Sequence, residues 1–368
     1  MSERVPSAPL APGSTVGILG SGQLGRMLSL AAARLGLTCH IYSDVAGSAM
    51  DVAVAKTIAP YSDTAALAQF AGLVDCVTYE FENVPLETAR FLETLVPLRP
   101  GSRALEVAQD RLAEKTFLAG LGLAVAPFAN IETAADLTAK LAMWQRPAIL
   151  KSRRLGYDGK GQTGIAPGDD ATAALASLGH QPMILEQRLS FAAEYSVLLV
   201  RSADGAALAY DIPRNAHKQG ILDTSTVPGG LSQALASQAV DIARCIAAAL
   251  DYVGLLSVEL FDLGSDHAEA DRLIVNEIAP RVHNSGHWTL EACPISQFEN
   301  HIRAVAGWPL GSCDRHSDAV MTNLIGTDAN AWLALASDPT LALHLYGKGQ
   351  VRPGRKMGHL TRLGAKTQ

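Results

Sequence analysis

The chain lacks several features that would each point to a class of protein. No run of about 18 uncharged apolar residues occurs, so no membrane-spanning helix is expected. The five cysteines, Cys39, Cys76, Cys245, Cys293 and Cys313, are scattered and form no C-x-x-C pair. That argues against a disulfide framework or zinc knuckle, and a reducing cytoplasm is the expected setting. Positive charge is not in excess: the formal net charge of −6 argues against a general nucleic-acid binder. Residues 1–13 are rich in Pro, Ala and Ser without an apolar core, so a disordered tail is expected there rather than a signal peptide.

What is there is enough core for two or three domains, with 368 residues of which 48% are hydrophobic. Basic side chains gather at 151–160 and 348–356, as a small anion would require. In the first of these, a short apolar strand delivers Lys151, and Gly156, Gly159 and Gly161 follow with Lys160 between them. Glycines let backbone amides close on anionic oxygens, and lysines add charge, so the segment reads as a phosphate cradle. An exposed basic hairpin turn would share this composition. No Gly-Lys-Ser/Thr follows, so it is not a Walker loop.

From the start, a strand over 14–19 leads through Gly20-Ser21-Gly22-Gln23-Leu24-Gly25 into a helix over 26–35, and a second strand over 38–42 ends near Asp44. This spacing fits a dinucleotide site, yet a lone glycine turn serves equally for close packing. Strands over 56–59 and 76–79 alternate with helices over 64–71 and 85–95, which implies a parallel, doubly wound sheet. Ligands collect at the carboxyl ends of such strands, so Glu80 and Glu82 are candidates for a site rim, or else solvated acids. Arg111 near the start of a helix over 109–121 could meet a phosphate, or form a surface ion pair. Residues 125–185, with helices over 134–144 and 171–178, look like a small inserted lid. A strand over 194–200 follows, then a turn over 215–221 containing His217, and a long helix over 231–250.

Two apolar strands, 255–262 and 273–278, flank a polar turn. Paired as an antiparallel hairpin, their positions sum to about 535 or 536, which sets Glu259 opposite Glu277. Like charges at that separation repel, so a hard divalent cation is expected between them, with Asn276 adding an oxygen. The alternative is one acid turned to solvent on a frayed strand. Arg281, His283, Asn284, Ser285, His287 and Thr289 follow at once, dense in hydrogen-bonding groups, as a substrate loop would be.

Four motifs together resemble the ATP-grasp superfamily and, within it, the N5-carboxyaminoimidazole ribonucleotide synthetases. They are Gly20 to Met27, Gly156 to Gln162, Asn276 to Thr289, and Arg352-Pro353-Gly354-Arg355-Lys356-Met357-Gly358-His359. The resemblance implies an α/β and α+β architecture: a tail over 1–13, a Rossmann-like domain over 14–111, an ATP-grasp body over 112–310 with its lid at about 125–187, and a small β-rich part over 311–368. It implies ATP at Arg111, Lys151, Gly156, Tyr157, Asp158, Gly159, Lys160, Gly161, Gln162, the hinge Glu186, Gln187, Arg188 and Leu189, and Glu194, His217, Asn276 and Glu277. Mg²⁺, with Mn²⁺ as a substitute, falls to Glu259, Glu277 and Asn276. Aminoimidazole ribonucleotide falls to Gln23, Leu24, Glu80, Arg281, His283, Asn284, Ser285, Lys348 and Arg355, and Lys151, Asp158, Arg281 and Lys348 are the expected catalytic groups. Bicarbonate is the other substrate, and a homodimer is implied. Sister readings are a formate-dependent glycinamide ribonucleotide transformylase and, through Asp44, a nicotinamide-dependent oxidoreductase. Ser21 stands where the family often has Gly, and the chain ends sooner after its last motif than many relatives.

Overall fold

The computed structural model describes residues 8–156, 159–179 and 181–367. Strands β1 (Thr15–Leu19), β2 (Thr38–Ser43), β3 (Ala55–Ile58) and β4 (Cys76–Tyr79) form a parallel sheet in the order β3-β2-β1-β4. Helices α1 (Gln23–Arg34) and α2 (Thr64–Ala71) connect β1 to β2 and β3 to β4, and α3 (Leu86–Glu93) follows β4. β1 and β4 are buried almost throughout, as covered strands of a parallel sheet must be. Helix α1 starts three residues earlier than expected, within the glycine turn itself. Two helices follow, α4 (Ser102–Ala108) and α5 (Arg111–Gly120); the second starts at Asp110, whose carboxylate caps the Leu112 and Ala113 amides.

A small antiparallel sheet in the order β5-β8-β6-β7 comprises β5 (Phe128–Ile131), β6 (Ala148–Ser152), β7 (Gln162–Ile165) and β8 (Met183–Gln187). It carries α6 (Ala134–Trp144) and α7 (Ala171–Ser177) around a core of its own. A capping box between Thr133 and Asp136 fixes the start of α6.

The third sheet is antiparallel and has nine strands: β9 (Ala193–Arg201), β10 (Ala207–Ala209), β11 (Arg214–Lys218), β12 (Ile221–Val227), β13 (Gly254–Asp262), β14 (Leu273–Ala279), β15 (Asp318–Ile325), β16 (Leu341–Leu345) and β17 (Lys356–Gly364). Its main path runs β14-β13-β9-β11-β12-β15-β17-β16. The C-terminal residues thus extend the body's sheet, because β15 pairs with β12. Helix α8 (Gln233–Ala249) packs against β9 and β13, and α9 (Thr289–Ala292) and α10 (Gln297–Val305) follow β14.

Leu24, Met27 and Leu28 of α1 share one core with Trp288, Phe298 and Ile302, so the parallel domain and the body are packed together. His301 reinforces the joint, its Nε2 lying 2.8 Å from Thr78 Oγ1. Two expectations are corrected. His217 lies in β11, not in a turn; the reversal comes at Gln219 and Gly220, both with positive φ. The N-terminal stretch is held from Leu10 onward, whose amide donates to Ala306 O and whose carbonyl accepts from Trp308 Nε1. No helix among the described residues is long and apolar enough to cross a membrane.

Candidate functional site

Glu259 on β13 is the register partner of Glu277 on β14. The ladder shifts beyond that pair, so that Leu260 meets Val275 and Asn276 is left over as a bulge. A bulge re-aims side chains, and here two neighbours on one strand, Asn276 and Glu277, both escape the core. Arg111 Nη1 donates to Glu277 Oε2 at 2.9 Å, while Glu259 has weaker neighbours: Asn276 Nδ2 and His283 Nε2, each 3.4 Å from one of its oxygens. Burial, and then the charge of Glu277, push Glu259 up to about 7. Burial would raise Glu277 as well, but Arg111, joined by Lys151 and Lys115, outweighs it and holds that carboxyl below its ordinary value. One well-neutralised and one poorly neutralised carboxylate side by side suit a divalent cation. Among the described residues no group of three or more His, Cys, Asp and Glu side chains is placed to hold a metal ion by itself.

Beside this pair, Lys151 Nζ lies 3.1 Å from Glu186 Oε2, and the fully buried Lys115 lies 3.5 Å from the same oxygen. Burial lowers Lys151, partly offset by Glu186. Among the described residues Glu186 Oε1 is buried without a hydrogen-bond partner, an acceptor open to a further donor. Lys115 also donates to Asn276 O at 2.6 Å, which ties the bulge to α5. Arg111 Nη2 reaches Gly156 O at 3.3 Å and so links the carboxylate pair to the glycine loop. In that loop Gly161 has φ +70°, and a Cβ there would stand 2.6 Å from Ser152 Oγ. Gly159 approaches Gly220 of the β11–β12 turn, Lys160 and Gln162 lie alongside, and Tyr157 and Asp158 fall outside the described residues.

The hinge leaves β8 with the Gln187 and Arg188 amides donating to Pro127 and Pro147 carbonyls, ahead of Leu189. Across the cleft, Glu194 Oε2 meets His217 Nδ1 at 2.5 Å. Burial would lower this imidazole, but the carboxylate outweighs it and raises the ring above its ordinary value.

The other side of the pair is cationic. Arg281 Nε donates to Glu82 Oε2, and against the pull of burial Arg281 holds Glu82 low. Asn284 exchanges two hydrogen bonds with Asn323, at 2.9 and 2.7 Å. Lys348 Nζ donates to Lys356 O at 2.7 Å, and Arg355 Nη1 to Gln350 O. Gln23 opens α1 at the edge of this region, but the Leu24 side chain is packed in the core, so any ligand contact there falls to its backbone. Ser285 is fully buried, and its hydroxyl is engaged by Ser196 and His283 rather than open to a ligand.

The glycine turn is already filled. The Glu80 carboxylate accepts from the Gly22 and Gly25 amides, the latter at 2.6 Å, and so occupies the end of α1 where a pyrophosphate would lie. Gly20, at φ +109°, has to be Gly because a Cβ would come 2.5 Å from Glu80 Cγ. Asp44 is exposed, and its carboxylate accepts from the neighbouring Ser43 hydroxyl at 3.4 Å. Sequence reasoning missed Lys115 and Glu114. Both are buried on α5, and the i, i+4, i+7 spacing of Arg111, Lys115 and Leu118 was the signal that could have found the lysine.

Comparison with known proteins bears on all three regions. Residues 14–109 match the ribonucleotide synthetase preATP-grasp domain, 116–298 the ATP-grasp domain, and 319–368 the phosphoribosylaminoimidazole carboxylase C-terminal domain. The N5-carboxyaminoimidazole ribonucleotide synthase of Brucella melitensis biotype 1 is 48% identical over 361 residues, covering 97% of this chain and 98% of that one. A crystal structure of N5-carboxyaminoimidazole ribonucleotide synthetase from Thermus thermophilus superposes with a TM-score of 0.87 at 44% identity, covering 95% of this chain and 93% of that one. The Aspergillus clavatus synthase, solved with ADP and 5-aminoimidazole ribonucleotide, gives 0.88 at 31% identity, with 96% and 94% covered. Such identity along nearly the whole length, over a hairpin that opposes two carboxylates, means that the chain belongs to the N5-carboxyaminoimidazole ribonucleotide synthase family of ATP-grasp enzymes.

Proposed function

We propose that this chain uses ATP and bicarbonate to carboxylate the exocyclic amine of 5-aminoimidazole ribonucleotide, releasing ADP and phosphate, with Mg²⁺ or Mn²⁺ held by Glu259, Glu277 and the Asn276 side chain. The observation that carries the metal assignment is the register pairing of Glu259 with Glu277 beside Arg111 and Lys151. The metal, when bound, would neutralise phosphate charge as it develops.

Bicarbonate attacks the γ-phosphorus, the β–γ P–O bond breaks, and ADP leaves with the bridging oxygen. The amine then attacks the carbonyl carbon of carboxyphosphate, or the CO₂ it releases; phosphate departs and the amine nitrogen gives up a proton. The chain's part is alignment and charge. Lys151 and the amides of the glycine loop face the phosphates, Arg111 connects them to Glu277, and the lid excludes water from the labile intermediate. Arg281, His283, Asn284, Lys348 and Arg355 would receive the ribonucleotide. Asp158 is the proposed acceptor of the amine proton. Glu186 Oε1, buried and unpartnered, supports a nucleotide donor at the hinge.

ADP release should require both aminoimidazole ribonucleotide and bicarbonate, and should stop when EDTA removes the metal. Equal release with glycinamide ribonucleotide and formate would instead favour the sister transformylase. Homodimers in the cytoplasm belong to the same proposal, and sedimentation as a monomer at working concentration would refute the pairing.

A further inference from the structure

We propose that Ser225, Asn215, Ser196 and Ser285 form a one-way hydrogen-bond chain that sets the tautomer of His283, placing its ring proton on Nε2 towards Glu259. These four would be positioning residues for the site, and their role there rests on the proposed function. Ser225 Oγ donates to Asn215 Oδ1 at 2.7 Å, Asn215 Nδ2 to Ser196 Oγ at 3.0 Å, and Ser196 Oγ to Ser285 Oγ at 2.7 Å; Ser285 Oγ lies 2.8 Å from His283 Nδ1. The three serines are fully buried and Asn215 is 8% exposed, so the chain is built from the protein's own groups.

Its direction follows from which atoms can donate. An amide nitrogen only donates and an amide oxygen only accepts. Ser196 therefore receives from Asn215 and has its single proton left for Ser285, whose own proton is left for His283 Nδ1. The Ser285 backbone amide, 3.4 Å from the same nitrogen, can also only donate. Two donors converge on Nδ1, so Nδ1 is bare and the proton of the neutral ring sits on Nε2. That nitrogen lies 3.4 Å from Glu259 Oε1.

The frame around this chain is rigid. Ser225 and Asn215 are register partners across β12 and β11, and Ser196 is the register partner of Glu259 across β9 and β13. The Gln297 side chain clamps the His283 backbone, accepting from its amide at 2.9 Å and donating to its carbonyl at 2.7 Å. Buried hydroxyls in strands cost stability unless paired, and apolar residues would pack there without this demand. A chain of them ending on the imidazole next to Glu259 therefore has a directional use: it offers the carboxylate a donor, not a lone pair. Groups that orient metal ligands in this way typically contribute about 10–100-fold to affinity or activity.

The test is the ring-nitrogen spectrum of ¹⁵N-histidine-labelled protein without metal or nucleotide, at a pH where His283 is neutral, with its signals assigned by their loss in His283→Gln. The wild type should show protonated Nε2 and bare Nδ1. Asn215→Asp, read at a pH where residue 215 is ionised, reverses the chain, because both carboxylate oxygens then accept; Ser196 donates to residue 215, Ser285 to Ser196, and His283 must protonate Nδ1. Its Mg²⁺·ADP affinity should fall about tenfold. A wild type protonated on Nδ1, or a folded Asn215→Asp protein with the tautomer unchanged, overturns the proposal. Should that variant not fold, Ser196→Ala replaces it: Ser285 Oγ loses the donor that directs its hydroxyl and becomes free to accept from Nδ1–H, so the Nδ1–H population should rise; no change would again overturn it. The readout needs no turnover, so an active enzyme with the opposite tautomer sinks the chain alone, and an inactive one with the expected tautomer sinks only the function.

Discussion

Carboxylates stand in two places where the sequence suggests a nucleotide, and they are neutralised in opposite ways. At the glycine turn, Glu80 receives the Gly22 and Gly25 amides, so the end of α1 is closed by the protein itself. In the β13–β14 hairpin, Glu259 and Glu277 face each other, and Asn276 and His283 approach Glu259 no closer than 3.4 Å. Backbone amides are fixed partial charges that cannot leave, and an acid held by them fills a helix terminus. Opposed acids leave a deficit of positive charge, which an exchangeable ion can fill. The difference separates the glycine motif, which looks like a cofactor site, from the hairpin, which has the chemistry of one.

The strongest way to break this comparison is Glu277→Gln. A metal's stabilisation of developing charge is worth several kcal/mol, so ADP formation should fall on the order of a thousandfold. Circular dichroism should remain that of a folded protein, because Glu277 is half exposed and its place is not in the core. Wild-type turnover in this variant would refute the metal assignment. Glu80→Ala should instead act through stability. It strands two amides at a buried helix end, each worth about 1–3 kcal/mol, so urea unfolding should move by about 2–6 kcal/mol. A neutral result would mean that solvent already reaches the end of α1.

The hairpin was legible because strand pairing is arithmetic. Both expected sums occur, Ser257 with Ala279 on one side of the bulge and Leu260 with Val275 on the other. Helices α2 and α6 and strand β4 also fall where periodicity and caps put them, at Thr64–Ala71, Ala134–Trp144 and Cys76–Tyr79. What escaped notice has weak local signals. Strand β12 is crowded with Asp and Thr, and its partner β11 slips at Ala216 and His217, which breaks the alternation that marks a strand. Helix α4 starts at Gly101 without a side-chain cap and runs seven residues, and β16 is only half-buried along most of its length. The glycine turn stayed open for another reason: sequence shows that glycine is needed, but not whether a phosphate or a carboxylate occupies the space.

Glu114 sharpens the comparison at a smaller scale. It is buried one turn from Arg111, accepts from the Ile278 amide at 2.7 Å, and is pushed up to about 8, chiefly by burial and then by the charge of Glu277. A carboxyl raised in the folded state binds a proton that the unfolded chain has released. Its stabilising contribution is therefore complete below the ordinary carboxylate range, near 4.5, and is lost as pH rises through about 8. Glu114→Gln keeps the acceptor oxygen without the charge, so metal-free protein should gain on the order of several kcal/mol at pH 9 relative to wild type and nothing at pH 4. Urea midpoints at the two pH values measure this, and equal shifts would place the effect in packing.

The smallest effect should come from Asp44→Asn. In a dinucleotide fold this acid would hold a ribose, and its amide would weaken cofactor binding. Here the pyrophosphate position is taken by Glu80, and Asp44 is exposed beyond the end of β2. Stability should change by no more than about 0.5 kcal/mol, as for other surface substitutions away from a special contact. ADP release should be unchanged, and neither protein should quench NADH fluorescence. A loss of turnover in this variant would return the glycine turn to the reaction and remove the ground for treating Glu80 as its occupant.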